Sequence, residues 1–221
     1  MDTLLSAYRF ALDNLPQILA RTAEHVELVG AAVLIAIATG VPIGIAITQS
    51  RVAADRVLYV ASVIMTIPSI AFFGLLIPVL SPIGQGIGYL PALIALVFYS
   101  QLPIIRNTYT AIKNIDPALQ EAARGMGMTA FQRLLQVELP IAVPVILNGV
   151  RNAVVLTIGI AAIATYIGAG GLGTFISRGI SQTDSRQLIT GAVAVSLLAI
   201  VADLVLLLMQ RLLTSPGLRS R

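Results

Sequence analysis

The sequence predicts an all-α transmembrane protein of about five spanning helices, with its N-terminus outside and its C-terminus inside. Three observations carry this. First, of 221 residues 57% are hydrophobic and only 11% charged, with a mean hydropathy of +0.92. Soluble domains carry about 25% charged residues, so this chain has too little polar surface to coat a water-soluble globule, and a bilayer is the solvent that fits. Second, five apolar stretches are long enough to cross about 30 Å of hydrocarbon. Third, the basic residues divide unequally among the segments between those stretches.

In chain order, residues 1–21 read as an N-terminal arm. Leu4, Leu5, Tyr8, Leu12, Leu15 and Leu19 recur at helical spacings, broken at Pro16, which suits an amphipathic helix over 3–20 lying at the membrane interface. The alternative is a polar tail. Residues 22–213 form the transmembrane domain, with spans expected at 28–48, 57–80, 89–105, 141–167 and 188–209. Residues 214–221 are a short cytoplasmic tail. Prolines fall inside the first three spans (Pro42, Pro68, Pro78 and Pro91), where each removes a backbone hydrogen bond and kinks the helix.

With the N-terminus outside, nine basic residues lie inside: Arg51, Arg56, Arg106, Lys113, Arg124, Arg133, Arg211, Arg219 and Arg221. Four lie outside, namely Arg9, Arg21, Arg178 and Arg186, and Arg151 sits within the fourth span. The outside arm is also acidic, with Asp2, Asp13, Glu24 and Glu27. Cysteine is absent and His25 is the one histidine, which excludes disulfides, thiolate metal sites and a multi-histidine metal centre. Net charge is +4, with one lysine and no basic tract, so nucleic acid is excluded as a partner.

The largest inside segment is 106–140. Asp116-Pro117 is a sound helix start, since aspartate caps free amides and proline suits the first turn. A short helix over Ala118, Leu119, Glu121, Ala122 and Ala123 follows and is interrupted by Gly125 and Gly127. Thr129 with Gln132 makes a capping-box pattern that starts a second helix, and Pro140 is expected to end the stretch at the membrane entrance. The loop is thus a compact object built from two helices and a glycine turn.

This loop reads Glu121-Ala122-Ala123, three residues, Gly127, nine residues, Val137, one residue, Leu139-Pro140. It resembles the EAA signature of permease subunits of binding-protein-dependent ABC importers, in which isoleucine is usual at the Val137 position. The resemblance implies the type I ABC importer permease fold. It also implies that Glu121, Ala122, Ala123, Arg124, Gly127, Leu139 and Pro140 form a coupling loop docking on a separate ATPase subunit. Small Ala122 and Ala123 allow close approach of another surface, and Gly127 permits a turn that a side chain would obstruct.

Further stretches are similar to one subfamily, the quaternary-amine osmoprotectant permeases for glycine betaine, carnitine or choline. They are Ile67-Pro68-Ser69, the run from Leu102 to Tyr109, Gly125-Met126-Gly127-Met128, and Ile167 to Gly173. Methionine-type permeases share the last of these, so an ABC importer for methionine or another small solute is an alternative, and an ion-coupled secondary transporter is another. The resemblance implies four partners: an ABC ATPase, an extracytoplasmic substrate-binding protein, a second permease copy or paralogue, and a small-molecule quaternary amine. ATP and Mg would be used by the ATPase, because this chain carries no nucleotide-binding motif, and the chain itself is not expected to be an enzyme.

Three further groups are candidates. Gly168, Gly170, Gly171 and Gly173 lie in a short run that reads as a tight outer gate loop, or as a plain turn. Arg151 and Asp203 sit at similar depths, about 16 Å and 12 Å along their helices from the inner ends, so they are expected to pair, or to join one buried polar cluster with Asn148 and Asn152. Alternatively, Asp203 lines the path. Phe72, Phe73, Tyr99 and Tyr166 would suit a cation held over aromatic faces, or simple packing.

Overall fold

A computed structural model describes residues 2–213, so the 214–221 tail lies outside the described residues. Those residues form helices joined by short turns: α1 (Asp2–Asp13), α2 (Leu15–Ala46), α3 (Arg51–Thr66), α4 (Ser69–Leu80), α5 (Tyr89–Lys113), α6 (Pro117–Gly125), α7 (Ala130–Arg133), α8 (Leu139–Ala164), α9 (Gly173–Ser181) and α10 (Ser185–Leu213). Four helical runs are long and apolar enough to span a membrane, and the bent pair α3–α4 makes a fifth if it is counted as one span.

The arm is two pieces. Its break falls at Asn14 and not at Pro16, because Pro16 occupies the first turn of α2, where a missing N–H costs nothing. α1 folds against α10, with the Thr190 hydroxyl donating to the Ala7 carbonyl at 3.3 Å. α2 starts well before the expected position 28. Its 32 residues reach about 48 Å, longer than the roughly 30 Å hydrocarbon core, so one end extends beyond the bilayer.

The expected single kinked span at 57–80 is instead broken by 100° between α3 and α4. Proline disfavours the helical conformation of the residue before it, and both Ile67 (ψ 126°) and Pro68 (ψ 133°) are extended. The carbonyl freed at this break accepts a hydrogen bond from the Tyr99 hydroxyl of α5 at 2.6 Å, as a membrane interior requires.

α2, α5 and α8 form the centre, packed on Leu28, Ala32, Ala36, Ala95, Leu96, Ala153 and Ala161. Small residues let these backbones approach closely. A Cβ at Gly44 would fall 2.6 Å from the Thr108 side chain, and one at Gly149 would fall 2.7 Å from the Pro103 carbonyl. α10 covers this bundle from one side while leaving Leu197, Ile200, Val201, Leu204 and Leu208 exposed.

Pro140 does not end the loop. α7 continues through a π turn at Leu134–Glu138 directly into α8, and the Leu139 N–H bonds the Leu134 carbonyl five residues back. The proline then stands in the first turn of α8, where its lack of an N–H is harmless. α5 likewise runs on past 106 to Lys113, and the turn that leads into α6 begins at Asn114.

Candidate functional site

At one end of the bundle the Glu121 loop is a built surface. The Asp116 carboxylate accepts from the Ala118 N–H at 2.9 Å and starts α6. α6 ends in a Schellman motif: the Met128 N–H bonds the Ala123 carbonyl at 3.2 Å and the Gly127 N–H bonds the Arg124 carbonyl at 2.9 Å. Such an ending needs a left-handed residue, and Gly127 supplies it at φ 78°. The Thr129 hydroxyl and the Gln132 side chain then make reciprocal capping bonds at 3.3 and 2.8 Å.

Glu121, Ala122, Arg124 and Gly127 are exposed, whereas Ala123 is buried against the loop's own second half. Leu139 is half-buried and Pro140 is exposed in the first turn of α8. The exposed residues are joined by Leu119, Met126, Phe131 and Leu135, all with substantial open apolar surface. Sequence reasoning did not select these four. The signal available was bulky apolar residues placed where a loop should be polar.

Behind the loop Glu138 is 6% exposed and accepts from Arg133 Nε at 2.7 Å. This pair also escaped the sequence reading, since Glu138 is the unspecified residue between Val137 and Leu139.

At the opposite end the glycine run is latched to α2. Gly168, Gly170 and Gly171 all have positive φ, between 77° and 82°, and Gly173 opens α9, where a Cβ would fall on the Ala162 carbonyl. The Gly171 N–H donates to Glu24 Oε2 at 2.9 Å, and Arg21 Nη1 donates to the same oxygen at 2.8 Å and to Oε1 at 3.0 Å. His25 is 1% exposed. Its Nδ1 accepts from the Leu172 N–H at 3.3 Å and its Nε2–H donates to the Ile158 carbonyl at 3.1 Å. Both ring nitrogens are therefore satisfied in one tautomer, and α2, α8 and the loop are tied through a single side chain. None of Arg21, Glu24 and His25 was selected from sequence, because the partners of Glu24 and His25 in the glycine run and α8 lie more than 130 residues away.

Between the two ends Arg151 donates to Asp203 through Nε at 2.9 Å and Nη2 at 2.8 Å, a bidentate contact. Gln210 bonds Asn148 at 3.1 Å and the Pro144 carbonyl at 2.9 Å, while Asn152 lines a groove beside Asp203. Of the aromatic candidates, Phe73 is wholly buried and Tyr99 nearly so. Phe72 packs edge-on to Tyr99 and Phe98 at 5.6 and 5.9 Å between ring centres. Tyr166 is exposed beside the glycine run, so the structure does not bring these four into one cage. Among the described residues no cluster could hold a metal ion.

Residues 40–215 match the family described as binding-protein-dependent transport system inner membrane component. Over 99% of its length the chain is 51% identical to the osmoprotectant import permease protein OsmW of Salmonella typhimurium, all of which is covered. It is 40% identical to the glycine betaine/carnitine/choline transport system permease protein OpuCB of Bacillus subtilis, over 95% of this chain and 94% of that one. Among solved structures, a chain of the MetNI methionine ABC transporter in an inward-facing form superposes with a TM-score of 0.80 at 24% identity, covering 90% of this chain and 96% of the other. That likeness is one of fold. The chain belongs to the binding-protein-dependent transport system inner membrane component family, as a multi-pass, non-enzymatic permease subunit of a bacterial ABC transporter.

Proposed function

We propose that this chain is the permease of an ATP-driven importer of quaternary-amine osmoprotectants such as glycine betaine, carnitine or choline. The observation that carries the reading is near-full-length similarity, at 51% and 40% identity, to permeases named for osmoprotectants and for these amines. It is favoured over methionine import, to which the likeness is in fold alone.

In this reading the Glu121 loop faces the cytoplasm, as the excess of arginine on that side supports. Its exposed patch of Leu119, Met126, Phe131 and Leu135 docks on the separate ATPase, which binds and hydrolyses ATP with Mg. The loop's second half and α8 form one helical run, Ala130–Ile167, so displacement of the loop tilts α8 as a unit. At the outer end that tilt works on the latch formed by Glu24, His25 and the glycine loop, where a substrate-binding protein delivers its cargo. A second copy or a close paralogue completes the path, because five spans enclose a channel poorly while ten around a two-fold axis do so readily.

The test is reconstitution in vesicles with the ATPase and binding protein encoded beside it, following labelled glycine betaine, choline and carnitine. ATP-dependent uptake that Gly127→Asp abolishes is the expected result, because the substitution puts a charge on the docking face. Uptake driven by an ion gradient without ATP would refute the reading.

A further inference from the structure

Asp203 is set in the wall of a groove with Arg151 paired to it, and both charges are partly open. Arg151 is 22% exposed and Asp203 36% exposed through their side chains. Asp203 opens onto a cavity of about 610 Å³ between α8 and α10 that Asn152, Val155, Ile200 and Leu204 also line, and Arg151, outside that lining, is held against Asp203 at 2.8 Å. Asn148 and Asn152, one turn apart on α8, are exposed on the same face, and Gln210 extends the polar track along α10. Arg151 stands at the middle of α8 (Leu139–Ala164), at mid-membrane depth. Exposed charge there is not tolerated against lipid and faces water or protein instead, so this groove belongs to the interior of the assembled transporter.

The geometry leaves both ions able to take a further ligand. The contact uses two guanidinium N–H groups and one face of the carboxylate, out of five donors and about four acceptor sites. On the reading of substrate class above, we propose that this pair is a transit site for zwitterionic quaternary amines. The carboxylate of a betaine lies against Arg151 and its ammonium against Asp203, head to tail with the protein's own ion pair. A zwitterion so placed gains at both ends, whereas a plain cation such as choline gains at Asp203 and is repelled by Arg151. The site therefore favours betaines over choline, and its apolar walls at Val155 and Ile200 suit the methyl groups.

The experiment uses the complete transporter in vesicles, measuring glycine betaine and choline uptake in the same preparation so that their ratio is independent of how much protein assembles. Arg151→Gln leaves Asp203 unopposed and is expected to raise choline uptake relative to betaine by about fivefold, the scale of one partly screened charge contact. Asp203→Asn shifts the ratio the other way. The neutral double variant R151Q/D203N, which leaves no unpaired charge to oppose assembly, is expected to lose betaine uptake more than choline uptake. A ratio unchanged in the variants, with both amines slowed alike, would mean that the pair is structural and would overturn the proposal. Wild-type vesicles that take up neither amine overturn the reading of substrate class instead, before any variant is compared.

Discussion

Replacing Gly127 with alanine should impair transport, whereas the same change two residues earlier, at Gly125, should not. Gly127 sits at φ 78°, and a Cβ there would meet nothing within 4 Å. The cost is therefore conformational, about 1–2 kcal/mol for an L-residue held in the left-handed region. Gly125 is the last residue of α6, at an ordinary helical φ, and a Cβ there also meets open space. Alanine there should favour the helix, by up to about 1 kcal/mol. An energy of 1–2 kcal/mol is a factor of about 5–30 in a two-state population, so Gly127→Ala should reduce the correctly terminated loop by that much. The assay is ATP-dependent uptake, together with ATPase activity stimulated by the loaded binding protein. Equal losses for the two variants, or none for Gly127→Ala, would refute the assignment of Gly127 to a strained cap on which coupling depends.

At the latch, His25→Ala strips the acceptor from the buried Leu172 N–H, at about 1–3 kcal/mol, and removes a second donor from the Ile158 carbonyl within α8; Glu24→Gln keeps an acceptor and should cost less. Thermal unfolding of the purified complex should rank the two in that order, and similar losses would count against the bridging role of His25. Arg133→Met strands the buried Glu138 carboxylate and should destabilise by about 3 kcal/mol, with most of the loss recovered in the double variant R133M/E138Q. Tyr99→Phe frees the Ile67 carbonyl at the α3–α4 break and should lower stability by about 1–2 kcal/mol; no change in melting would show that another donor reaches that carbonyl. Deleting Gln136 removes the extra residue of the π turn, so that the turn closes as ordinary α-helix with the segments on either side kept in phase. Stimulated ATPase activity should vanish while the complex still melts cooperatively, and retained stimulation would remove the π turn from the coupling path.

What the sequence made legible was whatever is written locally or fixed by helix geometry. Apolar length located the spans, the Asp116, Thr129 and Gln132 caps lay in consecutive residues, and 1.5 Å per residue put Arg151 and Asp203 at matching depths, where they meet. What stayed illegible depends on partners far along the chain. Pro68 announces a disturbance, but whether it kinks or breaks the span depends on whether a donor reaches the freed carbonyl, and that donor is Tyr99, 32 residues on. Glu24 read as one more outside acid until the Gly171 amide, 147 residues away, was brought to it. Pro140 looked like a terminator because proline usually is one. The π turn before it changes that, and a π turn has no composition of its own.

That π turn gives a physical reason for the nine-residue interval between Gly127 and Val137. The interval fixes the angular position of the Gly127 cap on the helix that enters the membrane, and the π turn takes up one extra residue of it with the segments on either side kept in phase. Above the turn α8 has little freedom to bend. Gly149 lies against the Pro103 carbonyl, Ala153 and Ala161 are buried in the centre of the bundle, and the Ile158 carbonyl is tied to His25. Below it the loop is held chiefly by its caps and by Arg133–Glu138. If the ATPase pushes on the exposed patch of Met126 and Phe131, the stiff part that must respond is all of α8, and the tie it strains first at the far end is His25. The same helix carries Arg151 midway, so one tilt would reposition the proposed transit site and the latch together.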